Sequence, residues 1–284
     1  MYSINKKVKI INVFHKKYYQ FDNDLYFKIQ AGSALSKENL AMYKDNSGDN
    51  ISNKNPYYSE LTAQYWFWKN YNYSNLDYIG LCHYRRYFAF LNAKNKIKKN
   101  IKYLKFIVKK YFLKNNLTFS YFPTLYLNYD EADKELENFN DQIIDQLPTF
   151  DIFLPYKVIF SNFNIEEQYI YSHIYQDFEI IKEVLLRKNK NYQESMETVL
   201  NQNKFLAYNM FIMRKDIFVE YNKWLFNILF EIEKKAKISK YNYQARLLAF
   251  AAERLFNIYI HKLKQDKTIK IKYLDTIFIK EKNK

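Results

Sequence analysis

Cysteine is nearly absent from this chain of 284 residues, where Cys82 stands alone. A single thiol excludes an intrachain disulfide and leaves no cysteine framework for zinc, which fits a reducing compartment. Long apolar runs are missing too. No stretch reaches the roughly 18 residues that a membrane span needs, and the opening MYSINKKVKIINVF has neither the apolar core nor the cleavage site of a signal peptide. The expected location is therefore the cytoplasm. Glycine occurs only three times, at Gly32, Gly48 and Gly80. Each marks a place where the backbone bends or lets a ligand come close, and a plain turn explains any one of them equally. Acidic residues number 30 against 45 Lys and Arg, and the resulting charge of +15 points to an anionic partner: nucleic acid, an anionic membrane or a phosphorylated substrate. Part of the lysine excess reflects the Lys-, Asn-, Ile- and Tyr-rich usage of an AT-rich genome.

What is present is a hydrophobic content of 48%, enough to bury a substantial core in one domain spanning 1–284, with a basic helical insertion at about 94–140. VKIINVF (Val8 to Phe14) and YFKIQAG (Tyr26 to Gly32) read as strands, and SGDNISNKN as a polar loop. Asn55 is the expected N-cap of a helix with Pro56 as its first residue and Leu61, Tyr65 and Trp68 on one face. DYIGLCH, DIFLP and AYNMFIM (Ala207 to Met213) read as buried strands. Two late helices are striped by Ile217, Tyr221, Trp224, Ile228 and Ile232 and by Leu247, Phe250, Ala251, Leu255 and Ile258. Strands separated by helices predict an α/β fold with a mostly parallel central sheet. Between them, Ile97, Ile101, Leu104, Val108 and Tyr111 stripe a segment rich in lysine (Lys98, Lys99, Lys102, Lys105, Lys109, Lys110). That pattern suits an anionic membrane surface, or a helix packed on the sheet with a solvated lysine face.

In open α/β sheets ligands bind at the carboxyl ends of strands, which is where DYIGLCHYRRYF turns polar. Arg85 and Arg86 can grip a phosphate through charge-assisted hydrogen bonds and His83 can donate another, although an adjacent arginine pair is also common surface charge.

The runs DNSGDNISNKNPYYSELTAQYWFWKN, DYIGLCHYRRYF, YNMFIMRKDIFVEYNKWLF and AAERLFNIYI, in this order, resemble a family of bacterial capsular and exopolysaccharide glycosyltransferases long catalogued as a domain of unknown function. The likeness extends from about Val8 to Ile260. It implies a GT-A-like nucleotide-sugar transferase fold and transfer of a sugar from a nucleotide-diphosphate donor, expected to be UDP-linked, to a glycan acceptor, free or lipid-linked. Many GT-A enzymes hold a divalent metal on an Asp-x-Asp pair after a central strand. The corresponding strand end here carries CHYRR, so metal-independent transfer is expected, with Asp49, Glu60, Asp77 and Asp151 left as ligands for Mn or Mg if a metal is used.

Donor contacts are expected from Gln30, Ala31, Gly32, Asp49, Asn50, Glu60 and Asn209. Turn chemistry accounts for DNSGDN as well, and a buried Asn209 needs partners of its own. His173 and Asp177, one helical turn apart in sequence, and Arg246 are the acceptor candidates; a structural His–Asp pair is the plainer reading. An inverting transfer needs a carboxylate base, for which Glu253 in AAERLF is the first candidate and Asp177 and Asp151 the next. Arg246, Glu253 and Asn257 fall on nearly one helix face, which a solvated salt-bridge face also explains. Two other classes fit the charge: a non-catalytic nucleic-acid-binding protein, given 20% aromatic residues, and a membrane-surface scaffold. No nucleic-acid motif of recognisable spacing supports the first.

Overall fold

The computed structural model describes residues 7–113 and 118–281. Its first strands, β1 (Val8–Phe14), β2 (Tyr26–Gln30), β3 (Tyr43–Lys44) and β4 (Tyr78–His83), form a parallel block in the order β4-β1-β2-β3. Register pairs Phe14 with Gln30 and Val13 with His83, so the carboxyl ends of these strands lie along one edge. Both faces of β1 are covered. Ile11 and Val13 face the core under the later helices, and Val8 and Ile10 face a second core on the other side, which is why the strand reads as a continuous apolar run.

The expected helix at Asn55 is interrupted. Asn55 is not an N-cap but the first residue of α1 (Asn55–Tyr58), and the chain breaks at Ser59 (φ +50) before α2 (Leu61–Asn70). The Asn55 amide holds that break, donating to the Ser59 carbonyl (2.8 Å) and to the Thr62 hydroxyl (3.2 Å).

After the turn Tyr84-Arg85, β5 (Arg86–Ala89) leaves antiparallel to β4. Then come α3 (Ala93–Leu113), β6 (Ser120–Tyr121), β7 (Leu125–Leu127), α4 (Tyr129–Gln146), β8 (Ile152–Pro155) and β9 (Val158–Phe160). The helices α5 (Ile165–Ser172), α6 (Tyr175–Lys188) and α7 (Gln193–Leu200) lead to β10 (Lys204–Phe205) and β11 (Phe211–Arg214). The long α8 (Lys215–Lys235) and α9 (Leu247–Leu263) precede the final strand, β12 (Ile271–Ile279). The apolar stripes read for the two late helices pack in the main core, with Trp224 at its margin.

Three further expectations need correction. The large sheet is mixed: β11 runs antiparallel to β4 and β8, while β12 is antiparallel to β5 and parallel to β7 and β8. Pairings among β4, β5, β12, β8 and β11 close a small ring. A two-residue turn between β4 and β5 forces antiparallel pairing, whereas parallel neighbours need a crossover. AYNMFIM is a strand only from Phe211 onward, because Tyr208 (φ +77) and Asn209 (φ +51) turn a left-handed corner before it. His173 and Asp177 are not one turn apart on one helix, since α5 ends at Ser172 and His173 is extended (φ −138, ψ −175).

Gly80 sits mid-strand where β4 is clasped between β1 and β11. A Cβ there would lie 2.9 Å from Ile212 Cγ1, 3.0 Å from Ile10 Cγ1 and 3.1 Å from the Phe211 carbonyl oxygen. Gly80→Ala is therefore expected to cost about 1–3 kcal/mol through overpacking. Urea unfolding measures it, and an unchanged midpoint and slope would show that the sheet yields freely at this point.

Candidate functional site

Because β1, β2 and β4 end on one edge, the residues that follow them gather there: His15 after β1, Ala31 after β2, and His83 to Arg86 around the end of β4. They floor a cavity of about 940 Å³ walled by Asn55, Pro56 and Ser59 of the interrupted helix, by Glu60, by Tyr208 and by Arg246 and Glu253 of the α9 region. Ala31 is fixed by its N–H donating to the Phe14 carbonyl (2.8 Å).

The left-handed corner connects the parts. The Tyr208 N–H donates to Glu253 Oε1 (2.8 Å), its carbonyl accepts from His83 Nε2 (2.5 Å), and its ring lies 4.4 Å from the Arg86 guanidinium. Asn209 Nδ2 donates to Glu60 Oε1 (2.9 Å). A carbonyl partner requires the proton on Nε2 of His83, and burial pushes its pKa down, so the neutral ring keeps Nδ1 as an acceptor. The donor that the sequence suggested for a phosphate is thus directed at the backbone of the corner.

Neither Arg85 nor Arg86 has a carboxylate partner among the described residues; Arg85 lies over Tyr84 (5.2 Å) and Phe278 (4.8 Å), and Arg86 over Tyr208 and Phe278 (5.2 Å). Arg85 Nε is buried with no acceptor. Arg246 donates through Nε to the Ser59 hydroxyl (2.9 Å) and remains exposed. The field they create also acts on His15, whose pKa is pushed down by burial and then by Lys16, Arg85 and Arg246.

Two carboxylates border this positive zone. Burial pushes the Glu253 carboxyl up, opposed by Arg254, whose guanidinium meets Oε2 at 3.1 Å, and by the Tyr208 amide. Arg254 is itself buried between the Tyr169 and Phe205 rings and also bonds Gln168. The arrangement can hold an anion of two charges and take up a proton beside it. One oxygen of Glu60 and both of Glu253 accept hydrogen bonds, His83 Nε2 is turned to the backbone, and among the described residues no group of three or more His, Cys, Asp or Glu side chains is gathered.

The other residues singled out from the sequence serve the surroundings. Gln30 points away from the cavity, donating to the Glu38 carbonyl (2.8 Å) and accepting from Leu40 (3.3 Å). Gly32 adopts φ +67, gives its N–H to buried Asp45 (2.8 Å), and has no room for a Cβ, which would lie 2.5 Å from Asn55 Cγ. Asp49 accepts from the Tyr65 hydroxyl (2.9 Å), and Asn50 bonds Gly48 and Ser52 within its turn. Asp151 pairs with Arg214 (2.6 Å) and Asp77 accepts from Lys7 N (3.0 Å), both at the opposite end of β4 from His83. His173 lies against Phe250 (3.9 Å between ring centroids), and Asp177 is buried in the first turn of α6; neither lines the cavity. The sequence reading missed His15, Ser59 and Tyr208. His15 was accessible by the same strand-end rule that found His83, while nothing in AYNMFIM announces a corner at Tyr208.

The pattern of the family described as a domain of unknown function, DUF4422, matches residues 9–265, and the chain belongs to that family. Among solved structures it is similar to the apo structure of the WbbM bifunctional glycosyltransferase, at 28% identity and a TM-score of 0.77, over 97% of this chain and 46% of that one. The chain therefore spans less than half of that protein's length. Comparison with curated proteins found no match.

Two groups near this region titrate in opposite senses. Burial pushes the Asp177 carboxyl up to about 6, so the folded chain binds a proton there that the unfolded chain releases near pH 4, and this contribution to stability is lost as pH rises through about 6. Burial, aided by Arg254, pushes His173 down to about 3, so its contribution grows as pH rises. Asp177→Asn removes only the first. Its stability should match the wild type near pH 4 and exceed it by about 1–2 kcal/mol at pH 7. Urea unfolding across that range checks it, and a difference independent of pH would mean that this carboxyl titrates normally.

Proposed function

We propose that this chain is a glycosyltransferase of GT-A-like architecture that moves a sugar from a UDP-linked donor to a growing capsular or surface polysaccharide, with inversion. The observation that carries this reading is the convergence of Arg85, Arg86 and Arg246, none in a salt bridge with a carboxylate among the described residues, on the carboxyl edge of the parallel strands beside Glu253 and Glu60. Membership of the family and likeness to a glycosyltransferase over nearly the whole chain support it.

In this reading the acceptor hydroxyl oxygen attacks the anomeric carbon as the bond to the donor diphosphate breaks and its electron pair leaves with the phosphate oxygen. The arginines stabilise that developing charge, which a divalent metal does in other enzymes. Glu253 takes the hydroxyl proton; burial raises its basicity, and the Tyr208 amide and Arg254 leave lone pairs on both oxygens and fix its orientation. Glu60, anchored through one oxygen by Asn209, is placed to accept from sugar or ribose hydroxyls. Ala31, a small side chain on the cavity wall, leaves space for the nucleoside.

A screen of UDP-, GDP- and CMP-sugars for hydrolysis or transfer, with and without EDTA, tests the whole reading. Turnover of a UDP-sugar that survives EDTA is expected; no turnover of any donor overturns the function, and a loss restored by manganese overturns the arginine mechanism. Arg85→Ala and Arg86→Ala should each weaken UDP binding by about 1.5–3 kcal/mol while leaving uridine nearly unaffected. Equal losses for UDP and uridine in titration calorimetry would place the arginines elsewhere in the mechanism.

Glu253→Gln should retain donor affinity and lose about 100-fold or more in turnover. Its amide still accepts from Tyr208, although Arg254 loses its countercharge and the melting temperature should fall. A folded variant with wild-type turnover would remove Glu253 from the chemistry.

A further inference from the structure

The helix α3 turns its apolar stripe away from the protein. Its inward face consists of Asn95, Lys99, Lys102 and Phe106: Asn95 and Phe106 are buried, Lys99 pairs with Asp275 on β12, and Lys102 donates to the carbonyls of Phe122 (2.7 Å) and Thr124 (3.0 Å). On the opposite side lie Ile97, Ile101, Leu104, Val108, Tyr111 and Phe112, which are 59, 50, 62, 46, 76 and 75% exposed. Surface helices ordinarily bury the apolar side and solvate the polar one. Here two lysines serve the packing face and six large apolar side chains face outward, so neither the core nor solubility accounts for the stripe.

Lysines flank it on both sides. At about 100° per residue, Lys94 and Lys105 lie along one border and Lys96 and Lys110 beyond the other. The ion pairs of this helix are made by Lys98, with Glu131, and by Lys99, leaving those four lysines without one among the described residues. A second copy of the chain is a poor partner for this face, because pairing two stripes would oppose two rows of lysines. An anionic surface with an apolar interior complements both features at once.

We propose that α3 docks the protein on an anionic lipid bilayer, the stripe from Ile97 to Phe112 entering the boundary between headgroups and acyl chains while the flanking lysines meet lipid phosphates. The dock stands one layer from the cavity. Thr124, whose carbonyl Lys102 holds, contacts Thr276 (3.0 Å) and Tyr208 through its hydroxyl, and Tyr208 lies beneath Arg86. Docking is read without any turnover assay, so its failure is distinct from failure of the glycosyltransferase reading.

Co-sedimentation of the full chain with vesicles of phosphatidylglycerol and phosphatidylcholine, against vesicles of phosphatidylcholine alone, tests it. The wild type is expected to pellet with the anionic vesicles only. A variant with Ile101→Gln, Leu104→Gln and Val108→Gln should bind at least tenfold more weakly, as should one with Lys94→Gln, Lys96→Gln, Lys105→Gln and Lys110→Gln. A control with the same change of net charge at the exposed Lys190, Lys223, Lys237 and Lys267 should bind as the wild type does. All three alter exposed or half-exposed side chains, and matching thermal melts verify the fold. Wild-type protein that stays in solution, a stripe variant that sediments normally, or a control that fails as badly as the helix variants would each overturn the proposal. So would sedimentation velocity showing a wild-type dimer that the stripe variant loses, since the stripe would then be a contact between copies.

Discussion

The corner at Tyr208 and Asn209 is the constraint on which the site depends. Two successive residues other than glycine at positive φ cost on the order of 1 kcal/mol or more each, and the corner persists because its surroundings determine it. β11 begins at Phe211, opposite Leu81 of β4, so the strand that presents His83 also fixes where the corner must turn. The strained peptide then supplies an N–H to Glu253 and a carbonyl to His83, while Asn209 supplies an amide to Glu60. A regular strand would direct these groups into the sheet. The departure from regular structure is what brings two carboxylates and an imidazole to a common edge.

Charge around the cavity is arranged by the same economy of means. Three guanidiniums near one another repel, and a protein concerned only with stability would place carboxylates between them. Aromatic faces hold them instead: Tyr84, Phe278, Tyr208 and, for Arg246, Phe250. A ring offers a cation about 0.5–2 kcal/mol without neutralising it, so the positive potential stays available to a ligand. Arg254 shows the contrast. It is fully buried, paired with Glu253 and bonded to Gln168, and it orients the Glu253 carboxylate from behind.

The aromatic content that left a nucleic-acid reading open has a structural role. Phe27, Trp66, Phe67 and Tyr71 pack together between β2 and α2, and Phe211, Tyr221 and Phe256 join β11 to α8 and α9. These rings lie in or against the core. Exposed rings such as Tyr171 and Tyr241 lie on other parts of the surface, whereas Tyr111 and Phe112 of α3 continue one stripe with Ile97, Ile101, Leu104 and Val108.

The sequence by itself determined the elements whose burial is written into the local pattern. β1 spans Val8–Phe14 as read and the DYIGLCH run supplies β4, because short continuous apolar runs report strands covered on both faces; the stripes of α8 and α9 pack where expected, because helical spacing of apolar residues reports the covered face. The strand-end rule placed His83, Arg85 and Arg86 at the carboxyl edge, because the DYIGLCHYRRYF run turns from apolar to polar where its strand leaves the sheet. Tertiary structure alone decided the mixed order of the sheet, the corner at Tyr208, the inward turn of Gln30, Asp49 and Asn50 to their own loops, and the separation of His173 from Asp177. Strand order and loop side-chain direction depend on pairings between residues far apart in sequence, such as Phe211 with Leu81 and Asp45 with Gly32. A local pattern of polar and apolar residues carries no record of those partners.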